Sequence, residues 1–115
     1  MPHFIIDCSE ELLQKQSAEK IMKTVYETAN SSGLFLPEDI KVRIRPFHYF
    51  YGSFSPKEFI HVFANIMEGR TAEQKNTLSK NVVTQLNKLF PELAIVSMNI
   101  RDFEKKGYFN KNMLP

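Results

Sequence analysis

The chain has 115 residues, 43% of them hydrophobic and 24% charged, a balance that fits one globular domain and excludes a disordered chain. A net charge of +2 does not mark a nucleic-acid protein, and the apolar runs are too short to cross a bilayer as a helix. The single cysteine, Cys8, excludes an intrachain disulfide, and with no secretory signal visible the expected compartment is the cytoplasm.

The chain opens MPHFIIDC. Residues 2–8 read as a strand, with Phe4, Ile6 and Cys8 on one face and His3, Ile5 and Asp7 on the other. Pro2 is out of place at its head, because proline has no N–H to give a ladder. Either the first position of a strand simply tolerates it, or Met1 is removed and Pro2 becomes a free secondary amine able to act as a base. Residues 17–32 read as a helix, with Ala18, Ile21, Met22, Val25 and Ala29 along its apolar stripe, Ser17 as N-cap and Gly33 as stop. Residues 40–45 alternate as IKVRIR, a second strand that Pro46 either ends or places at a sheet edge. GSFSPKE over 52–58 is a turn-rich break, and FIHVFANIM over 59–67 is a third strand. Thr71 opens a second helix with the T-A-E-Q spacing of a capping box. Its stripe is Leu78, Val82, Leu86, Leu89 and Phe90, and Pro91 ends it. Residues 94–101 alternate as a fourth strand, and 105–115 read as an irregular tail.

This order, strand-helix-strand twice over, gives an α+β single domain spanning 1–115, made of two pseudo-repeated halves, about 2–51 and 59–103. Each half makes two parallel strands through a right-handed crossover, and together they form a four-stranded mixed sheet with both helices on one face. The third strand is apolar on both sides: Phe59, Phe63 and Met67 point one way, Ile60, Val62, Ala64 and Ile66 the other. Two helices cover one side, so the other needs a second subunit or the folded-back tail.

Several residues bear on chemistry. Lys41, Arg43 and Arg45 project from one strand face, neighbours about 6.6 Å apart at roughly 3.3 Å per residue. That spacing suits a small dicarboxylate, and it equally describes an ordinary solvated face. Arg70, before the second helix, could hold an anion or pair with Glu73. His3, His48 and His61 lack ligand spacing and read as structural, with no metal site. Cys8 reads as core, and the four glycines are isolated, so no phosphate loop is present. The aromatic run 47–51 beside the basic strand could form a nucleic-acid surface, a reading that the net charge disfavours.

P-H-F-I-I-D-C-S at the start, G-L-F at 33–35, I-K-V-R at 40–43 and E-G-R-T-A-E at 68–73 together resemble the 5-carboxymethyl-2-hydroxymuconate isomerase family of the tautomerase superfamily. The tail motif Y-F-N-K-N at 108–112 is a weaker echo. The resemblance implies a homotrimer of β-α-β-β-α-β subunits, working without metal or cofactor on a small carboxylate substrate of aromatic compound catabolism. It implies no nucleic-acid or membrane partner. It gives the catalytic role to Pro2 as amino-terminal base and substrate binding to Arg43, with Lys41 and Arg70 beside it. Lys41 stands where the resemblance leads one to expect arginine, a point charge in place of a fork. Another proline-dependent keto-enol tautomerase, or a non-catalytic trimer that kept the fold, are the alternatives.

Overall fold

Alternation along the first strand sorts the whole molecule into two sides. In the computed structural model, which describes residues 1–52 and 58–115, Phe4, Ile6 and Cys8 of β1 (His3–Ser9) are fully buried, while His3, Ile5 and Asp7 between them are half-buried. The expected break over 52–58 lies, apart from Gly52 and Glu58, outside the described residues. β1 pairs in parallel with β2 (Lys41–Phe47) and antiparallel with β3 (Ile60–Met67), and β3 pairs in parallel with β4 (Val96–Phe103). The strand order is β2-β1-β3-β4, so the two central strands are the first strands of the two β-α-β halves.

The helices α1 (Ala18–Ser31) and α2 (Ala72–Leu89) lay Ile21, Val25 and Ala29, and Leu78, Val82 and Leu86, against the even-numbered side of β1 and β3. Both start where their caps dictate. Ser17 Oγ accepts from the Lys20 N–H at 3.1 Å, and Thr71 and Gln74 exchange both bonds of a capping box at 2.9 and 3.1 Å. Gly33 ends α1 with φ of 74°, a left-handed conformation that glycine adopts without strain. No helix among the described residues is long and apolar enough to cross a membrane.

Pro46 takes the edge placement, one strand shifts, and one turn is added. β2 runs on through Pro46, which lies opposite Cys8; as an edge strand, β2 has an unpaired side where a missing N–H costs nothing. β4 starts and ends two residues later than the alternation predicts; near its end Asp102, on the helix side by register, pairs with Lys75 of α2 at 3.0 Å. A 3-10 turn at Glu10–Gln14, which the sequence pattern did not reveal, sends Leu12 into the core.

The side opposite the helices is more mixed than the apolar reading of the third strand suggests. His61 and Asn65 share it with Phe63 and Met67, and the flanking strands add Lys41, Arg43 and Arg45 at one edge and Ser97, Asn99 and Arg101 at the other. The tail meets the sheet at the end of β4, where Tyr108 stacks on Phe103 at 5.3 Å, and leaves Phe63 36% exposed. The helix-covered side therefore carries the core. Phe4→Ala should lower the free energy of unfolding by about 3–5 kcal/mol in urea at fixed protein concentration, and a loss under about 1 kcal/mol would show that this side is not the core.

Candidate functional site

The amino-terminal end of β1 gathers most of the chemistry. The Pro2 ring is fully buried, and its carbonyl accepts from the Lys41 N–H at 3.0 Å. That bond continues the parallel ladder in which His3 faces Lys41, Ile5 faces Arg43 and Asp7 faces Arg45. The three cations thus share the open side of the sheet with His3 and Asp7.

They are not equivalent. Arg45 is bound to Asp7 by two bonds, Nε to Oδ1 at 2.8 Å and Nη2 to Oδ2 at 3.2 Å, and its charge is answered there. Arg43 turns the other way, with Nη1 3.1 Å from His3 Nδ1. Lys41 Nζ donates to the Glu38 carbonyl at 2.8 Å, and no carboxylate of the described residues pairs with it. Lys41 and Arg43 are therefore the cations left over beside Pro2. With His3, Met22, Tyr26 and Val42 they line a groove of about 710 Å³ along the outer edge of β2. Burial, then Arg43, the amino terminus and Lys41 hold the His3 imidazole below its ordinary value.

Arg70 takes a different post. Its Nη2 donates to the Leu34 carbonyl at 2.6 Å and its Nη1 to the Met67 carbonyl at 3.2 Å. Its guanidinium lies 5.0 Å from the centre of the Phe35 ring, which in turn meets Phe4 edge-on at 6.1 Å. Gly69, with φ of 120°, makes the turn that aims it there, a conformation that side chains rarely adopt. Arg70 forms no ion pair with Glu73 among the described residues. It ties the loop after α1 to the turn before α2, next to the buried face of β1.

The remaining candidates are accounted for locally. His61 places Nδ1 2.6 Å from Ser97 Oγ and Nε2 2.6 Å from Asn99 Oδ1, and His48 pairs with Glu10 at 2.9 Å. Cys8 is buried, and burial, helped by Asp7, pushes its thiol up to about 11, which leaves it inert. Among the described residues no three His, Cys, Asp or Glu side chains converge as a metal site requires. Sequence reasoning missed the parts of His3 and Asp7. Alternation put both on the face of the cations, but only the register tells which cation each one meets.

The family model described as 5-carboxymethyl-2-hydroxymuconate isomerase matches residues 2–114. Solved structures share the fold. A 5-carboxymethyl-2-hydroxymuconate isomerase from Deinococcus radiodurans R1 aligns with a TM-score of 0.82 at 18% identity, over 96% of this chain and 88% of that one. The "Q0 fused 4-OT wild type symmetric trimer" aligns with a TM-score of 0.80 at 14% identity, over 97% and 94%. N1, a member of the cis-3-chloroacrylic acid dehalogenase (cis-CaaD) family, aligns with a TM-score of 0.80 at 14% identity, over 97% and 82%. At these identities the structures speak for the fold alone, and their names span more than one chemistry. No curated protein matches the sequence.

The two carbonyl bonds of Arg70 make it a strut, and a strut has a measurable signature. Arg70→Ala should cost about 1–3 kcal/mol in denaturant unfolding, and Arg70→Lys should recover only part, since an ammonium lacks the planar fork that stacks on Phe35. Unchanged stability in Arg70→Ala, with a loss confined to substrate affinity, would instead make Arg70 a free anion hook.

Proposed function

The chain belongs to the 5-carboxymethyl-2-hydroxymuconate isomerase family, and we propose that it is an isomerase moving a proton within an unsaturated 2-hydroxy or 2-keto polycarboxylate, with the amine of Pro2 as general base. The observation that carries this reading is the placing of a buried Pro2 at the head of β1, beside two cations that no carboxylate of the described residues answers.

The reaction asks for a group that takes a proton from one carbon and returns it to another, and such a group works best with a pKa near the operating pH. A free amino terminus titrates at about 7.7–8.0 in a generic chain. Burial of the ring and the nearby charges of Lys41 and Arg43 both disfavour the ammonium, so both lower that value. The chemistry requires removal of Met1, since an acylated proline nitrogen has no lone pair to offer. Arg43 binds a substrate carboxylate through its fork, Lys41 adds a point charge, and the two together stabilise the dienolate oxygen as it forms. Arg70 supports the pocket wall first; to bind substrate it would have to give up the Leu34 or Met67 carbonyl. Proton transfer of this kind needs no cofactor.

A homotrimer is part of the proposal. Exposed Phe63 in the middle of the open face calls for a partner, and a fold neighbour is a symmetric trimer. The cytoplasm remains the proposed compartment. One observation favours a second reading: Lys41 is tied to the Glu38 carbonyl, and Arg43 is the one guanidinium among the described residues that line the groove. A 2-keto acid with a single carboxylate, handled by the same proline, would fit that arrangement.

The test compares the processed protein with a form keeping one residue ahead of Pro2, both assayed on 5-carboxymethyl-2-hydroxymuconate and on a monocarboxylate keto acid. The extended form should fold and assemble as the processed one does, yet lose nearly all activity on either substrate. Full activity in the extended form would exclude the Pro2 amine as base.

A further inference from the structure

We infer that His3 is a positioning residue, an imidazole that holds Arg43 back toward the amino-terminal end of β1 without neutralising it; this deepens the proposed function and rests on the reading of Arg43 as carboxylate anchor. The geometry begins with register. Arg43 lies opposite Ile5, so its guanidinium reaches His3 only by leaning diagonally back along the strand, to the residue next to Pro2. Arg43 is exposed, and an exposed arginine without a partner would spread over many rotamers.

The chemistry of the contact fixes the state of the ring. Arginine only donates, so the 3.1 Å contact requires a lone pair on His3 Nδ1. The single ring proton is then on Nε2, and a protonated imidazole, with N–H on both nitrogens, is excluded. The surroundings agree. His3 faces Lys41 and Arg43 of β2, Glu19 and Lys23 of α1 line the same groove, and β3 contributes the uncharged Asn65 opposite. Burial and the neighbouring cations lower the pKa of the ring, which favours its neutral form.

β1 thus gives the two arginines of β2 different partners, Asp7 directly opposite Arg45 and His3 diagonally across from Arg43. Asp7 orients Arg45 and answers its charge. His3 orients Arg43 and leaves the charge unanswered, which is what an arginine needs if it is to bind an anion. A carboxylate at position 3 would aim Arg43 as well and disarm it.

Binding of adipate, an unreactive dicarboxylate, is measured by calorimetry beside KM and kcat for the substrate. His3→Phe removes the acceptor and should weaken adipate and raise KM by roughly tenfold, with kcat changed far less. His3→Asn can place Oδ1 where Nδ1 was and should recover most of that loss relative to His3→Phe. Adipate affinity unchanged in His3→Phe, or lost equally in both variants, overturns the inference. Arg43→Ala is the control: if it binds adipate like the parent, the carboxylate-anchor reading itself fails. A second measurement needs neither ligand nor variant. The ¹⁵N shifts of the His3 ring at neutral pH should show the Nε2–H tautomer, and an Nδ1–H tautomer or an imidazolium overturns the inference.

Discussion

One backbone hydrogen bond, from the Lys41 N–H to the Pro2 carbonyl at 3.0 Å, sets the register on which the rest of the site depends. With it, His3 faces Lys41 and each odd-numbered residue of β1 shares a side with a cation of β2. A slip of one residue would turn those cations into the helix-covered core and push Val42 and Ile44 outward. The core forbids that slip, because charged groups buried without partners cost far more than the strand pairing returns. The packing of Phe4, Ile6 and Cys8 under the helices is therefore also what keeps the cations of β2 on the open side of the sheet.

The two β-α-β halves contribute unequally to this end of the molecule. The first supplies Pro2, His3 and the basic strand. The second supplies support: Arg70, aimed by the Gly69 turn, holds the Leu34 and Met67 carbonyls and covers Phe35, which packs on Phe4. Electrostatics divides the basic strand of the first half itself. Arg45 is answered by Asp7, whereas Lys41 and Arg43 are held by a carbonyl and an imidazole, neutral partners that keep their charge in the groove. In the proposed function, positive charge beside a free Pro2 amine would lower the amine's pKa and attract an anionic substrate at once.

Much of the fold is legible in the chain because two periods, 2 and 3.6, mark its strands and helices, and because Ser17 and Thr71 announce the helix starts. Boundaries fail where a polar residue stands in for an apolar one: Asp102 hides the end of β4 because its partner, Lys75, is 27 residues away in sequence. Leu12 is missed for a related reason, since a single apolar turn has no period to read. The site is legible as a set of residue types on one face, but the pairings are not. Which of His3 and Asp7 meets which arginine depends on the β1–β2 register, which alternation leaves undetermined by any even number of residues. Arg70 shows the converse. Its neighbour Glu73 offers an obvious partner, yet the carbonyls of Leu34 and Met67 win because the chain's folding brings two acceptors to one planar fork.

The proposed chemistry stands on a free Pro2 amine whose surroundings make it a base near neutral pH. ¹⁵N NMR of protein labelled at proline, titrated between acid and alkaline pH, tests it most directly. The Pro2 nitrogen should titrate as a secondary amine with a midpoint below the roughly 7.7–8.0 of a generic amino terminus. A Pro2 nitrogen whose shift stays that of an amide across the range, or an amine with a midpoint at or above about 8, would contradict it.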